Sequence, residues 1–300
     1  MNYVVAVDVG GTEIKSALVD SDFNVIATAT APTPKADTTG AETVKAIAAI
    51  VAQFSTQHPV DAVGLAVPGA LDEPAGTSRW SGNLQWKNLP IRDLLHAAIK
   101  IPVAFGHDVR TAAVAEVRNG AAKGARNAIF IPVGTGIAAA FIIDGEIRSA
   151  EGYAGEIGHI NVNGKYPCVC GKNGCLEAAS STLAISKAYE AQSGKTGTTT
   201  EEIYKLVVAG DSVATQVWDD ATAAMARGCE TLITLLAPEV IVFGGGLSNA
   251  GETFLKPIRD YLDSSLTFQR KPRLEIARYG AKAGTIGCAM LAFDLVKAGK

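Results

Sequence analysis

Two segments of the chain, 124 residues apart, follow one plan, and this internal repeat limits the possible architectures more than any other feature. Asp8-Val9-Gly10-Gly11-Thr12 lines up with Pro132-Val133-Gly134-Thr135-Gly136, and Leu18-Val19-Asp20 lines up with Ile142-Ile143-Asp144. In each copy an apolar strand enters a Gly/Thr turn, a second strand leaves it, and an acidic turn starts a third. Helical and strand segments then alternate. Val44, Ile47, Ala48, Val51 and Phe54 recur at helical spacing, and residues 62–67 read as a strand. Ile91, Leu94, Leu95, Ala98 and Ile99 make a second amphipathic helix, followed by a short strand at 103–105 and a helix starting near Asp108. Residues 240–243 read as strand, with helices over 253–266 and 283–296.

A twofold duplication of this kind predicts two α/β lobes with helices packed on mixed sheets. The repeat puts the boundary near residue 107, giving an N-terminal lobe of 1–107 and a C-terminal lobe of 108–283. The last helix, 284–300, is expected to rejoin the first lobe. Three hundred residues, 48% of them hydrophobic, suffice for two sizeable cores.

The remaining composition mainly excludes. A net charge of −3 gives no basic footprint, so no nucleic-acid partner is expected. Met1-Asn2-Tyr3-Val4 lacks the basic n-region of a signal peptide. The uncharged stretch 127–143 is interrupted by Pro132, Gly134 and Gly136, which argues against a membrane span. A cytoplasmic protein is expected.

Glycine turns at the ends of strands let backbone N–H groups approach an anion closely. The paired turns Gly10-Gly11-Thr12 and Gly134-Thr135-Gly136 are therefore candidate holders of the phosphates of one nucleotide. Lys15 could add a positive charge beside the first, and Asp8 could hold Mg²⁺ through water. A third turn, Gly244-Gly245-Gly246, follows the apolar strand 240–243 and is a candidate for the adenosine end; a tight strand-to-helix turn is the alternative. None of these is a P-loop, because no Gly-Lys-Ser/Thr follows.

Five cysteines divide unevenly. Cys229 and Cys288 stand alone in apolar helical segments and read as small core residues. Cys168, Cys170 and Cys175 crowd into eight residues and, with His159, supply the donor set of a closed tetrahedral Zn²⁺ site. A structural zinc loop over 156–177 is the expectation. It would carry Glu156 and Glu177 on the same polar surface as His159.

Glu156-Ile157-Gly158-His159, followed by Cys168-Val169-Cys170-Gly171-Lys172-Asn173-Gly174-Cys175-Leu176-Glu177, closely resembles the signature of ROK-family sugar kinases. The three glycine turns are similar to that family's nucleotide motifs and occur in the family's order. The resemblance implies an actin-like, ribonuclease-H-type ATPase fold with two lobes closing over a sugar. It implies ATP and Mg²⁺ as cofactors beside structural Zn²⁺, a hexose substrate, and a homodimer or homotetramer. Asp108 in Gly106-His107-Asp108-Val109 matches the family's catalytic aspartate. Asn83 in Asn83-Leu84-Gln85-Trp86 matches its sugar-binding asparagine, and Gly69 the loop beside the sugar. Glu156, His159 and Glu177 match the remaining sugar contacts. His107 stands where the family usually has an asparagine that touches a sugar hydroxyl, and imidazole places its donor and acceptor differently.

Together these imply phosphoryl transfer from ATP to a primary hydroxyl, with Asp108 as general base and glucose as the first choice of hexose. Fructose, mannose and N-acetylated hexosamines are alternatives, and so is a non-catalytic sugar sensor. Sensors of this family carry a helix-turn-helix ahead of the body, whereas here the first strand starts at residue 3.

Overall fold

A computed structural model describes residues 2–162 and 166–299. Residues 163–165, inside the expected zinc loop, lie outside the described residues, as do positions 1 and 300 that begin and end the expected lobes.

The chain opens with β1 (Tyr3–Val9), β2 (Glu13–Asp20) and β3 (Val25–Pro32), then α1 (Ala41–Ser55) and β4 (Val60–Val67). Three short strands follow, β5 (Ala70–Asp72), β6 (Thr77–Ser81) and β7 (Trp86–Leu89), and then α2 (Ile91–Ile99), β8 (Val103–His107) and α3 (Asp108–Asn119). The second half runs β9 (Ala128–Pro132), β10 (Ala140–Ile143), β11 (Glu146–Arg148), α4 (Leu176–Ser180), α5 (Thr182–Ser193), α6 (Thr200–Val208) and α7 (Ser212–Leu236). It ends with β12 (Val240–Gly244), α8 (Glu252–Ser265), β13 (Arg273–Ile276) and α9 (Ala283–Ala298).

The repeat is explicit in the sheets. One has the order β3-β2-β1-β4-β8 and the other β11-β10-β9-β12-β13. In both, a hairpin lies antiparallel on the first strand while the later strands run parallel beside it. The short strands form a separate sheet, β5-β6-β7.

The chain divides into two compact units. One holds the described residues through Arg118, with Ser149–Ala154 and the residues from Lys282 onward; the other holds Asn119–Arg148 and Gly155–Ala281. The division thus falls one helix later than the repeat suggested. The reason is local: α3 follows directly on β8, and it packs on α9 of the first unit, where a Cβ at Gly287 would strike the Thr111 carbonyl.

In the first unit the apolar strands are covered on both faces. Val5, Val7 and Val9 join one core with Ile47 and Phe54 of α1, whereas Val4 and Ala6 join another with Cys288, Ala289, Ala292 and Phe293 of α9. The period-2 alternation of a strand sends neighbours to opposite cores. On the α9 side the residues are small because the helix lies close: a Cβ at Gly64 would run into the backbone carbonyl of Cys288. In the second unit Ile129, Ile131, Ile241 and Phe243 pack on Met225, Cys229, Phe254 and Ile258 of α7 and α8. Asp211 caps α7 by accepting from the Ala214 N–H at 2.8 Å. Cys229 and Cys288 are both fully buried, as expected of core residues. No helix among the described residues is long and apolar enough to cross a membrane.

Candidate active site

The first unit gathers its candidate residues at the carboxyl ends of β1, β4 and β8. The turn after β1 closes on itself, with the Gly10 N–H donating to Glu13 O at 2.9 Å. Thr33 Oγ1 donates to Gly10 O at 2.7 Å and Lys35 Nζ to Gly11 O at 3.3 Å, so residues beyond β3 brace the turn. Gly11, Thr12, Lys15 and Pro32 line an open groove of about 690 Å³. Asn83 lies over the same turn, since a Cβ on Gly11 would come within 3.3 Å of the Asn83 Cβ. The loop from β4 needs glycine at position 69, where φ is +110° and a side chain would strike the Trp80 carbonyl. Trp86, fully buried, donates its indole N–H to Asp37 O at 2.8 Å and joins the first unit's core with Leu84, the residue after Asn83.

Asp8, one residue before the end of β1, lies opposite Lys15 of β2. Burial and the nearby Asp108 carboxylate push its pKa up to about 6, against a downward pull from Lys15. The first turn of α9 abuts it, for a Cβ on Gly284 would sit 2.7 Å from Asp8 Oδ2. Two carboxylates and a helix N-terminus at one spot are oxygen chemistry suited to Mg²⁺ held through water.

Asp108 opens α3. A third of its side chain remains open to solvent, yet loss of hydration raises its pKa, opposed by the N–H of Val109 and by Arg110. The Val109 N–H donates to Asp108 Oδ1 at 2.7 Å. His107 is buried, with Nδ1 3.1 Å from the same Oδ1 and 3.2 Å from the Val109 N. Burial lowers the His107 pKa to about 3, helped by Arg110 and opposed by Glu73, so the ring is neutral at physiological pH. With Nδ1 engaged by the aspartate corner, Nε2 is the nitrogen that could serve a sugar hydroxyl.

In the second unit the equivalent turn is closed by the Gly134 N–H donating to Gly136 O at 3.0 Å. Glu177 Oε2 accepts from the Ile137 N–H at 2.9 Å, directly after this turn. Both glycines around that carboxylate are there for space. A Cβ on Gly136 would lie 2.8 Å from Glu177 Oε2, and one on Gly158 would lie 3.2 Å from it and collide with the Ile137 carbonyl. The phosphate turn, Glu177 and the short helical turn Ile157–His159 are therefore packed into one another. Glu156, exposed, precedes that turn, and His159 is half-buried at its end. Beside them a pocket of about 400 Å³ is lined by Thr135, Tyr166, Glu177, Leu183, Lys187 and Val217.

The third glycine turn divides. A Cβ on Gly244 would press on Phe130 at 2.8 Å, and Gly245, at φ +75°, would meet the Val133 carbonyl. Packing against β9 accounts for these two, and only Gly246 has open space around it.

The metal cluster assembles as its donor set suggested. The ligand atoms of His159, Cys168, Cys170 and Cys175 all lie within 4.8 Å of one another. Cys168 Sγ is 3.6 Å from His159 Nδ1 and Cys170 Sγ is 3.6 Å from Cys175 Sγ. Ligand edges of roughly 3.5–3.8 Å follow from tetrahedral Zn–S and Zn–N bonds, so the side chains present fit Zn²⁺. Burial, reinforced by the other two thiols, pushes the Cys175 pKa to about 12. Three thiolates can coexist there only with a compensating cation.

The ROK family pattern matches residues 4–294. The chain belongs to the ROK family. Among similar proteins is a glucokinase of Halalkalibacterium halodurans, 33% identical over 95% of this chain and 93% of its own length. An N-acetylmannosamine kinase of Pasteurella multocida is 30% identical over 98% and 97%. The crystal structure of a ROK family glucokinase from Streptomyces griseus in complex with glucose and AMPPNP superposes with a TM-score of 0.85 at 30% identity, covering 98% of this chain and all of that one. The fold of this ROK protein is accordingly the actin-like ATPase fold, two sheet-containing lobes from a duplicated α/β unit.

Sequence reasoning on this ROK protein missed the partners that hold the site. Thr33 and Lys35 behind the first turn, the Glu177–Ile137 bond, and Glu73 and Arg110 beside Asp108 have no motif of their own. Of these only Arg110 carried a signal, a charge beside the small-residue run Thr111-Ala112-Ala113 of α3.

Proposed function

We propose that this ROK protein phosphorylates a hexose at its primary hydroxyl, with glucose the first choice and Asp108 the general base. That it is an ATP-dependent sugar kinase rests on the glucokinases it resembles over nearly its whole length. Hexose as the substrate class has the same support; the N-acetylmannosamine kinase among its relatives is why the particular sugar is proposed rather than derived.

The observation that carries the reading is the Asp108 corner. Here a carboxylate at the start of a helix is raised in pKa by burial, fixed by the Val109 N–H and still partly open to solvent. A base tuned upward toward neutrality takes a hydroxyl proton more effectively than an ordinary aspartate. In this reading Asn83, Gly69 and His107 of the first unit, and Glu156, His159 and Glu177 of the second, orient sugar hydroxyls. Each polar group that a bound sugar covers then penalises a sugar that leaves it unpaired.

Gly10, Gly11, Thr12 and Lys15, with Gly134, Thr135 and Gly136, are assigned to the nucleotide phosphates. Gly244, Gly245 and Gly246 are assigned to its adenosine end, with Gly246 the position that has room. Asp8 is assigned to Mg²⁺, which when bound neutralises charge on the transferring phosphoryl group. Zn²⁺ on His159, Cys168, Cys170 and Cys175 is assigned a structural role, holding Glu156 and Glu177 in place.

A hexose-dependent ADP-release assay over a sugar panel tests the reading. Turnover should appear with a hexose and vanish without one. A rate that is the same with and without sugar would make the protein an ATPase, and sugar binding with no turnover would make it a sensor.

A further inference from the structure

The turn between β5 and β6 is one of the most heavily tied in the first unit. Gly76 N–H donates to Glu73 O at 3.1 Å, and the Ala75 N–H donates to Asp72 Oδ1 at 3.1 Å. Arg92 reaches from α2 to donate to Pro74 O at 2.9 Å and Ala75 O at 3.1 Å. From this fixed turn the Glu73 side chain extends to the start of α3. Its Oε1 accepts from the backbone N–H of His107 at 2.9 Å and from Arg110 Nε at 3.3 Å.

Arg110 makes that contact almost entirely buried, its side chain 5% exposed, and its Nη2 has no hydrogen-bond partner among the described residues. An ion pair whose cationic end is buried with a donor left unsatisfied is a poor way to gain stability, because desolvation offsets most of the attraction. The pair therefore calls for another explanation. Its two ends supply one. His107 and Arg110 stand on either side of Asp108, while Glu73 lies in the β5–β6 turn of the small sheet, Gly69 directly before β5 and Asn83 in the β6–β7 turn.

We propose that Glu73 is a positioning residue, a carboxylate strut that holds the Asp108 corner in register with the β5-β6-β7 sheet and its Asn83. The proposal rests on the assignment of Asp108 and Asn83 to the kinase reaction. Without the strut the His107 N–H loses its acceptor, and the first turn of α3 is free to shift relative to the sheet. Misplacement by about 1 Å can cost on the order of 10² in rate while leaving binding largely intact.

The test compares Glu73→Ala with Glu73→Gln, which keeps an acceptor oxygen for the His107 N–H. Glu73→Ala should lower kcat for hexose phosphorylation by at least about tenfold with KM changed by less than about threefold, and Glu73→Gln should recover most of the rate. Hydrogen exchange on the full chain supplies a readout independent of activity. Exchange at the 107–110 amides should speed up in Glu73→Ala and stay near wild type in Glu73→Gln. A Glu73→Ala enzyme with wild-type kcat overturns the proposal, and so do two variants equally slow and equally lowered in Tm. If the wild-type protein shows no hexose-dependent turnover, the functional reading fails instead. The exchange measurement still decides the strut: unchanged exchange at 107–110 in Glu73→Ala sinks it.

Discussion

Gly136→Ala places a methyl group 2.8 Å from Glu177 Oε2, closer than an uncharged Cβ approaches a carboxylate oxygen without displacing it. Glu177 cannot simply retreat. Its Oε2 is bonded to the Ile137 N–H at 2.9 Å, so any retreat from the methyl group lengthens that bond. The expected result is rupture of that bond. A hydrogen bond to a charged group contributes roughly 1.5–3 kcal/mol. For a chain of this size that corresponds to a fall in Tm of roughly 3–12 °C, at about 2–4 °C per kcal/mol. The same displacement should raise the hexose KM, since Glu177 is assigned to the sugar. Gly134→Ala is the matched control: nothing lies within 4 Å of its Cβ, and its φ is not positive, so its Tm should stay within about 1 °C of wild type. Thermal melts and hexose-dependent ADP release on the two variants provide the measurement. A Gly136→Ala protein that melts with wild type and keeps its hexose KM would refute the idea that the phosphate turn and Glu177 are mechanically joined.

Other outcomes follow from the site. Asp108→Asn should cut kcat by about 10²–10⁴-fold with hexose binding retained, measured by turnover and calorimetric titration; near-normal turnover removes Asp108 as base. His107 has its pKa lowered to about 3, so it stays neutral in the fold while the unfolded chain protonates below about 6.5. Folding stability should therefore drop as pH falls below that value, by up to about 1.4 kcal/mol per pH unit, and His107→Asn should flatten that part of the denaturation profile. Metal analysis should find one zinc per chain. Cys175→Ser or chelation should abolish it and raise the hexose KM, while circular dichroism of the remaining α/β structure persists; unchanged KM in zinc-free protein would detach the cluster from sugar binding.

Much of the architecture was legible because the duplication writes the same strand–turn–strand plan twice, and apolar periodicity separates strands from helices. Strands 240–243 and helices 253–266 and 283–296 lie within about two residues of the observed elements, since buried strands and amphipathic helices leave strong periods. The sheet β5-β6-β7 and helices α5 to α7 were not read. Short strands leave too few residues for a period, and α7, buried on several sides, blurs the polar stripe that would mark it.

The sequence alone determined the chemistry on offer: which residues are thiols, imidazoles and carboxylates, and that three cysteines and a histidine stand at metal-binding spacing. It also put glycine in the turns at Gly69 and Gly245, but the carbonyls a side chain would strike there, those of Trp80 and Val133, come close only in the fold. Only the tertiary structure decided which groups share a charge or a bond. The upward shift of Asp8, the neutral His107, the hold of Ile137 on Glu177 and the strut from Glu73 to the Asp108 corner all join residues up to 100 positions apart. Electrostatics and hydrogen bonds depend on distance through space, and within each unit that distance is set by how the sheet and its helices pack, not by spacing along the chain.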